Sequence, residues 1–554
     1  MRSGLSALLL LAVCGCRCSE QPTRAPATAP KRALEVELRI AYGSEKKSWL
    51  EEQIASFRAS SPKTSSGRPI QIHAQAMGSG EAVQDILAGT SKPHVFSPAS
   101  GAYITILNDR FQSAGHLKPL SPPGEPLVLS PIVIAMWRPM AAALGWPTKS
   151  LGWKDLLQVN ANPKGWAAFD RPEWGSFKLG HTHPEFSNSG LLAVLAEAYA
   201  GARKTRGLTI EDLASKQTQS FVHSVELAIV HYGKSTGFFA EKMLERGPSY
   251  LSAAVLYENL VIESYAKNPS GTPLVAIYPV EGTFWSDHPY AVLDAEWVGA
   301  EEKEAAAAFL AHLKSKPAQE RALAHGFRPA DPAVRIASPI DPEHGADPKQ
   351  PQTLLEVPNA EVLRKLLEVW KSIKRSADVV LAFDKSGSMA GRPLQQAKAG
   401  AKAFFDNLQD QDQVTLMFFD HNIYPPIGPQ TLAKGRSDLL SRIEAISAGG
   451  GTALYDAIAQ AYRNAQERGR QDPSRIRAVI VMTDGRDENS RLSFPDLQGL
   501  LSSEDSSIKV FTIAYGAQAD LDVLNRIAEA SKGSSAKGTA ETIVQVYQDI
   551  AAFF

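Results

Sequence analysis

The chain has 554 residues, 44% of them hydrophobic and 21% charged, with a formal net charge of −1. A single hydrophobic core stops growing at roughly 250–300 residues, which excludes a one-domain protein. The near-zero charge and the lack of a long Lys/Arg block exclude a general attraction to nucleic acid or to an acidic membrane surface.

In chain order, Arg2 supplies a positive start, Leu5 to Val13 an apolar run, and Cys14, Cys16 and Cys18 follow directly. Crossing a bilayer takes about 20 residues. The run is too short for that and suits the apolar centre of a secretory signal. These are the only cysteines, so no disulfide is expected in the folded body. Residues 17–33, rich in Pro, Thr and Ala, read as a flexible tether. Val36-Leu38-Ile40 alternates as a strand, Ser48 to Phe57 reads as a helix and Ile70-Ile72 as another strand. Strand and helix signals keep alternating to about Phe327, which predicts an α/β domain over residues 34–330. Residues 331–376 read as a linker ending in an amphipathic helix, Ala360 to Ile373, with Leu363, Leu366, Leu367 and Trp370 on one face. A second α/β pattern occupies 377–554.

In that last region Val379 to Phe383 is a continuous apolar run, as in a strand buried on both faces. It ends in Asp384-Lys385-Ser386-Gly387-Ser388. Gly449-Gly450-Gly451-Thr452 opens a helix from Ala453 to Glu467, and Ala478 to Thr483 is another apolar run ending in Asp484-Gly485. A doubly wound sheet binds ligands beyond the carboxyl ends of its strands. Three segments would therefore carry Asp384, Ser386, Ser388, Thr452 and Asp484 to one edge. Two carboxylates and three hydroxyls are hard oxygen donors that suit Mg²⁺ or Mn²⁺. With no His or Cys in the set, zinc is not expected. His421 stands alone after a strand, so no serine gains a base and a nucleophilic hydrolase has no support.

Asp-x-Ser-x-Ser, Gly-Gly-Thr and Thr-Asp-Gly, in this order, resemble the metal-ion-dependent adhesion site of von Willebrand factor A-type (VWA) domains. The resemblance implies a Rossmann-like fold over 377–554 and a Mg²⁺ or Mn²⁺ ion held by the five residues. An acidic side chain of a protein partner would then complete the shell. It implies binding and not catalysis.

Three further segment groups carry a second resemblance over residues 34–330. They are Gly78-Ser79-Gly80 with Val95 to Ser100, Leu129 to Trp137 with Ser187 to Leu191, and Tyr257-Glu258-Asn259 with Tyr278 to Gly282. They are similar to type 2 periplasmic solute-binding proteins, the class that serves ABC transporters. That implies two lobes around a ligand cleft. Gly78-Ser79-Gly80 and Ser187-Asn188-Ser189 precede helices, where free amides favour an anion. Ser97, Ser130 and Tyr257 add hydroxyls, and Glu258 a carboxylate that opposes an anion. A small-molecule or oxyanion ligand is the expectation. His181-Thr182-His183 reads as a loop with no third metal ligand near it in sequence.

Val13-Cys14-Gly15-Cys16 resembles the lipobox of bacterial lipoproteins, which implies a signal peptide over 1–16 and lipidation at Cys16. The whole then reads as a lipid-anchored, extracytoplasmic cell-envelope protein. Its C-terminal site binds a protein partner, its N-terminal domain senses or holds a solute, and it does not bind nucleic acid. The alternative is the solute-binding component of an ABC-type transport system with an accessory VWA domain. Fusion to a domain of roughly 180 residues, a hindrance to docking on a permease, argues for the first.

Overall fold

The computed structural model describes residues 35–502, 508–516, 519–539 and 542–554; Cys16 and the tether expected over 17–33 lie outside them. Alternation buries Val36, Leu38 and Ile40 in the strand Val36–Gly43. That strand pairs in parallel with Ile70–Met77 on one side and Val95–Ser97 on the other. Pro289–Val292, antiparallel, and Glu125–Pro126 complete the first sheet. The helix Ala300–Leu313 packs Ala305, Ala306 and Phe309 onto its core.

The second sheet is built on Val128–Trp137, whose near-continuous apolar run is buried on both faces. Ala253–Tyr257 and Leu274–Ile277 pair with it, and Leu179–Thr182 and Ile229–Gly233 extend the sheet. The chain passes between the two sheets at Leu127, returns at Asp287-His288, and passes again before Arg328–Pro329, which pairs with Val128 and Leu129, so three crossings join two lobes. His181-Thr182 belongs to a buried strand rather than to the expected loop.

The third sheet has the spatial order Ile427–Thr431, Gln413–Phe419, Ala377–Asp384, Ile476–Thr483, Lys509–Tyr515, Ser535–Gly538. All pairs are parallel except that of Ile427–Thr431. Counted along this unit, the order is 3-2-1-4-5-6, the doubly wound arrangement. Winding reverses between Ala377–Asp384 and Ile476–Thr483.

Residues 331–359 join the units but are not slack. The amide of Leu355 donates to Thr283 O at 2.8 Å, Ala276 N to Gly345 O at 2.8 Å, and the Tyr199 hydroxyl to Glu356 O at 2.8 Å. The helix Ala360–Ile373 starts with Asn359 Oδ1 accepting from Val362 N, and buries Val362, Leu363, Leu366, Leu367 and Trp370. It touches both lobes. Arg364 pairs with Asp109 of the first at 3.4 Å, and Lys371 with Glu185 of the second at 2.7 Å. One hydrophobic cluster runs from the second lobe through this helix to Phe404, Ile543 and Phe554 of the third sheet's unit. Lys234, in the second lobe, bonds Glu81 of the first lobe at 2.5 Å and Asp549 of the C-terminal unit at 2.7 Å.

Candidate metal centre and inter-lobe cleft

The reversal point of the third sheet sets the geometry of the first site. Asp384 ends one of the two flanking strands and Asp484 follows the other. Asp384 is fully buried; its Oδ1 accepts from Ser386 N at 2.8 Å and its Oδ2 from Thr483 Oγ1 at 2.5 Å. Ser386 Oγ lies 3.1 Å from Ser388 Oγ, and Ser388 Oγ donates to Asp484 Oδ1 at 2.7 Å. A methyl group added at Gly485 would stand 3.4 Å from Thr452 Oγ1 and 3.6 Å from Ser388 Oγ, so both hydroxyls border one space. Thr452 is held there by Asn489 Oδ1, which accepts its amide at 3.0 Å, and by its own carbonyl, which accepts from Glu488 N and Asn489 N.

The five predicted residues thus converge. The donor set fits Mg²⁺: adjacent oxygens of an octahedral Mg²⁺ shell, at 2.0–2.1 Å from the ion, lie about 3 Å apart, and those measured here do. Burial pushes the Asp384 carboxyl up to about 6, against the hydrogen bonds from Thr483 and Ser386, and raises Asp484 as well. Two carboxylates short of compensating charge favour a cation between them. Lys385, inside the motif, does not supply it. Its ammonium bonds Asp420 at 2.6 Å and covers the Tyr424 ring. His421 turns its Nδ1 to Asp420 and its Nε2 to Asn422. Thr483, Asp420 and Asn489 were not singled out from sequence. Only Thr483 left a signal there, as the first letter of Thr-Asp-Gly.

The cleft residues expected in the N-terminal lobes are brought together, but bonded to protein. Gly80 N and Glu81 N both donate to Phe186 O, and Gly78 N to the Glu81 carboxylate at 3.1 Å. Of the amides read as an anion cradle, that of Gly80 is thus taken by a carbonyl of the opposite lobe and that of Gly78 by Glu81. Ser79 Oγ accepts from Ala99 N at 3.1 Å. Ser187 and Ser189 share Thr236 Oγ1, and Asn188 Nδ2 donates to the Tyr257 hydroxyl at 2.9 Å. Ser130 Oγ donates to Asn259 Oδ1 at 3.1 Å. Glu258 does not oppose an anion: Arg328 grips both its oxygens, at 2.7 and 2.8 Å, and Tyr278 donates to it.

Sequence reading missed the buried charges of this cleft. Lys46 Nζ bonds Glu45 Oε1 at 2.9 Å and the carbonyls of Ser97 and Pro98, and His288 Nδ1 lies 3.2 Å from Glu45. Burial lowers Lys46 and would raise Glu45, but Lys46 and His288 beside it bring the Glu45 carboxyl down to about 2. A depressed carboxyl stabilises the fold above its unfolded value, near 4.5. Stability is expected to fall as the pH drops from 4.5 towards 2, and Glu45→Gln to flatten that slope in acid unfolding curves. Ser97 Oγ, Ser235 Oγ and His288 Nε2 are buried without a hydrogen-bond partner among the described residues, as groups facing a small polar ligand or water would be.

The closed lobes leave no room at the glycines. A Cβ on Gly80 would stand 2.1 Å from Glu185 O, across the cleft. Gly80→Ala is therefore expected to prise the lobes apart and cost about 1–3 kcal/mol. Small-angle scattering reads this as a larger radius of gyration; an unchanged profile speaks against the closure contact.

Two families match the chain: "Bacterial extracellular solute-binding protein" over residues 38–328 and "von Willebrand factor type A domain" over 378–548. An uncharacterized protein of Synechocystis sp. is 31% identical over 157 residues, 28% of this chain and 36% of its own length. An uncharacterized protein of Mycobacterium tuberculosis is 25% identical over 443 residues, 74% of this chain and 60% of its own. The chain thus spans under two thirds of each of these relatives. A solved periplasmic thiamin binding protein is 11% identical, with a TM-score of 0.44, over 61% of this chain and 96% of its own. No helix among the described residues is long and apolar enough to cross a membrane.

Proposed function

Because the chain belongs to the bacterial extracellular solute-binding protein family through residues 38–328 and carries a von Willebrand factor type A domain over 378–548, we propose that it is a lipid-anchored cell-envelope receptor. In this reading it is a binding protein and not an enzyme. It holds a protein partner through Mg²⁺ at Asp384, Ser386, Ser388, Thr452 and Asp484, and a small polar ligand between its lobes. Mn²⁺ would serve in place of Mg²⁺.

The observation that carries this is the all-oxygen ring at the winding reversal, with contacts near 3 Å and a buried carboxylate raised to about 6. The chain's own residues position the donors. Thr483 and the Ser386 amide fix Asp384, Asn489 fixes Thr452, and Asp420 draws the Lys385 ammonium aside. When bound, Mg²⁺ supplies an electrophilic coordination position for an acidic side chain of the partner.

Two contacts support communication between the halves. Lys234 bonds Glu81 across the cleft and Asp549 of the C-terminal domain, and the helix Ala360–Ile373 pairs with both lobes. Opening the cleft would break Lys234–Glu81 and Arg364–Asp109 together. The C-terminal domain would then change its seat as solute is gained or lost.

The test is a pull-down from native cell envelopes with the full chain. A partner retained in Mg²⁺, and lost both with chelator and with Asp384→Ala, is expected. The same proteins held by Asp384→Ala would overturn the reading. The anchor is checked in the same cells: Cys16→Ser should move the protein from the membrane to the soluble fraction.

A further inference from the structure

His181 stands on the strand Leu179–Thr182, Glu197 within the helix Asn188–Ala202 and Glu226 at the end of the helix Lys216–Glu226. All three side chains are fully buried, and one ligand atom of each lies within 4.8 Å of the other two. Their hydrogen bonds leave one carboxyl group without a partner. His181 Nδ1 lies 2.7 Å from Thr182 O, a carbonyl that only accepts, so Nδ1 carries a proton. His181 Nε2 then faces Glu226 Oε1 at 3.2 Å. Glu226 has two donors besides: the Trp370 indole N–H at 2.8 Å and the Tyr232 hydroxyl at 2.5 Å. Glu197 has none. Both its carboxylate oxygens are buried without a hydrogen-bond partner among the described residues. A buried, unpaired carboxylate beside a second one is among the costliest arrangements a protein interior holds, and it needs an explanation such as an ion.

We infer that His181, Glu197 and Glu226 form a second, buried cation site, for a divalent transition-metal ion of the Zn²⁺ type. One imidazole and two carboxylates are a donor set for such an ion and neutralise its charge. The surroundings match those of metal ligands. The second ring nitrogen of His181 is fixed by a carbonyl, and Glu226 is oriented by Trp370 and Tyr232. Ligand atoms of a tetrahedral Zn²⁺ lie about 3.3 Å apart, so ligand atoms that lie within 4.8 Å of one another need to close by at most about 1.5 Å. This site is separate from the oxygen ring and unlike it in chemistry. Its place is what gives it a role: Trp370 belongs to the helix Ala360–Ile373, so the ion would brace the second lobe where the arm to the C-terminal domain docks.

The experiment uses the full chain carrying Asp384→Ala, so that the oxygen ring contributes no metal. It is produced in zinc- and manganese-supplemented culture, and metal content is measured by mass spectrometry after gel filtration. About one equivalent of transition metal per chain is expected. Adding Glu197→Gln, of the same shape, should lower it at least about tenfold. A metal-free Asp384→Ala protein overturns the site, whether or not the Glu197 variant folds. Metal retained in a folded Glu197→Gln variant overturns it too. In that case Glu197 is a protonated, neutral group.

Discussion

Trp370→Ala is expected to destabilise the chain by about 3–5 kcal/mol, the range for truncating a fully buried tryptophan. Its indole is fully buried among side chains of the second lobe, with its ring centroid 4.8 Å from His183 and 5.5 Å from Tyr232, both edge-on. Truncation removes that packing and leaves a cavity where neighbours from the lobe and the arm helix meet, so collapse is incomplete. It also takes the N–H donor from Glu226, which has no solvent to replace it. Trp370→Phe separates the two effects. It keeps most of the packing and loses only the donor, for about 1–3 kcal/mol. Denaturant unfolding of the full chain measures both. An unfolding free energy of Trp370→Ala within about 1 kcal/mol of the parent's would show that the arm helix is not anchored by this side chain.

The helix itself was legible in the sequence, and its partner was not. Leu363, Leu366, Leu367 and Trp370 repeat at helical spacing, which states that a face is buried but not against what. Glu226 and Tyr232 lie well over a hundred positions away, and nothing in their spacing points to Trp370. The same limit applies to His181. Its ligand-like neighbours come from two helices that the fold alone sets beside the strand, so the reading stopped at two histidines. The metal ring was legible because each segment places its donors just after a buried strand or before a helix, and the strand ends locate themselves. The cleft residues were recognisable as a group, but their bonding was not. The turn at Gly78-Ser79-Gly80 reads as free amides until the carbonyl of Phe186, on the facing lobe, is seen to take Gly80 N. Two edge strands, Ile427–Thr431 and Ser535–Gly538, gave no pattern because their polar sequences bury little.

Asp384→Ala is expected to abolish Mg²⁺ binding while the fold survives. Of the five oxygen donors Asp384 is the only charged one that is fully buried, and it organises the others: its two oxygens accept from Ser386 N and Thr483 Oγ1. Losing a positioning group around a metal commonly costs 10–100-fold in affinity, so losing this carboxylate should cost at least about 100-fold. The fold should tolerate it. Burial already opposes the charge of Asp384, and the substitution removes that opposition along with two hydrogen bonds, each worth about 1 kcal/mol. Thr483→Val provides the contrast. It leaves both carboxylates in place and frees one Asp384 oxygen, so binding should weaken without vanishing. Calorimetric titration of the full chain with Mg²⁺ reads all three proteins. The buried His181 cluster does not disturb the measurement, because imidazole and enclosure suit Zn²⁺ rather than the strongly hydrated Mg²⁺. A titration of Asp384→Ala that matches the parent would move the cation site away from the winding reversal altogether.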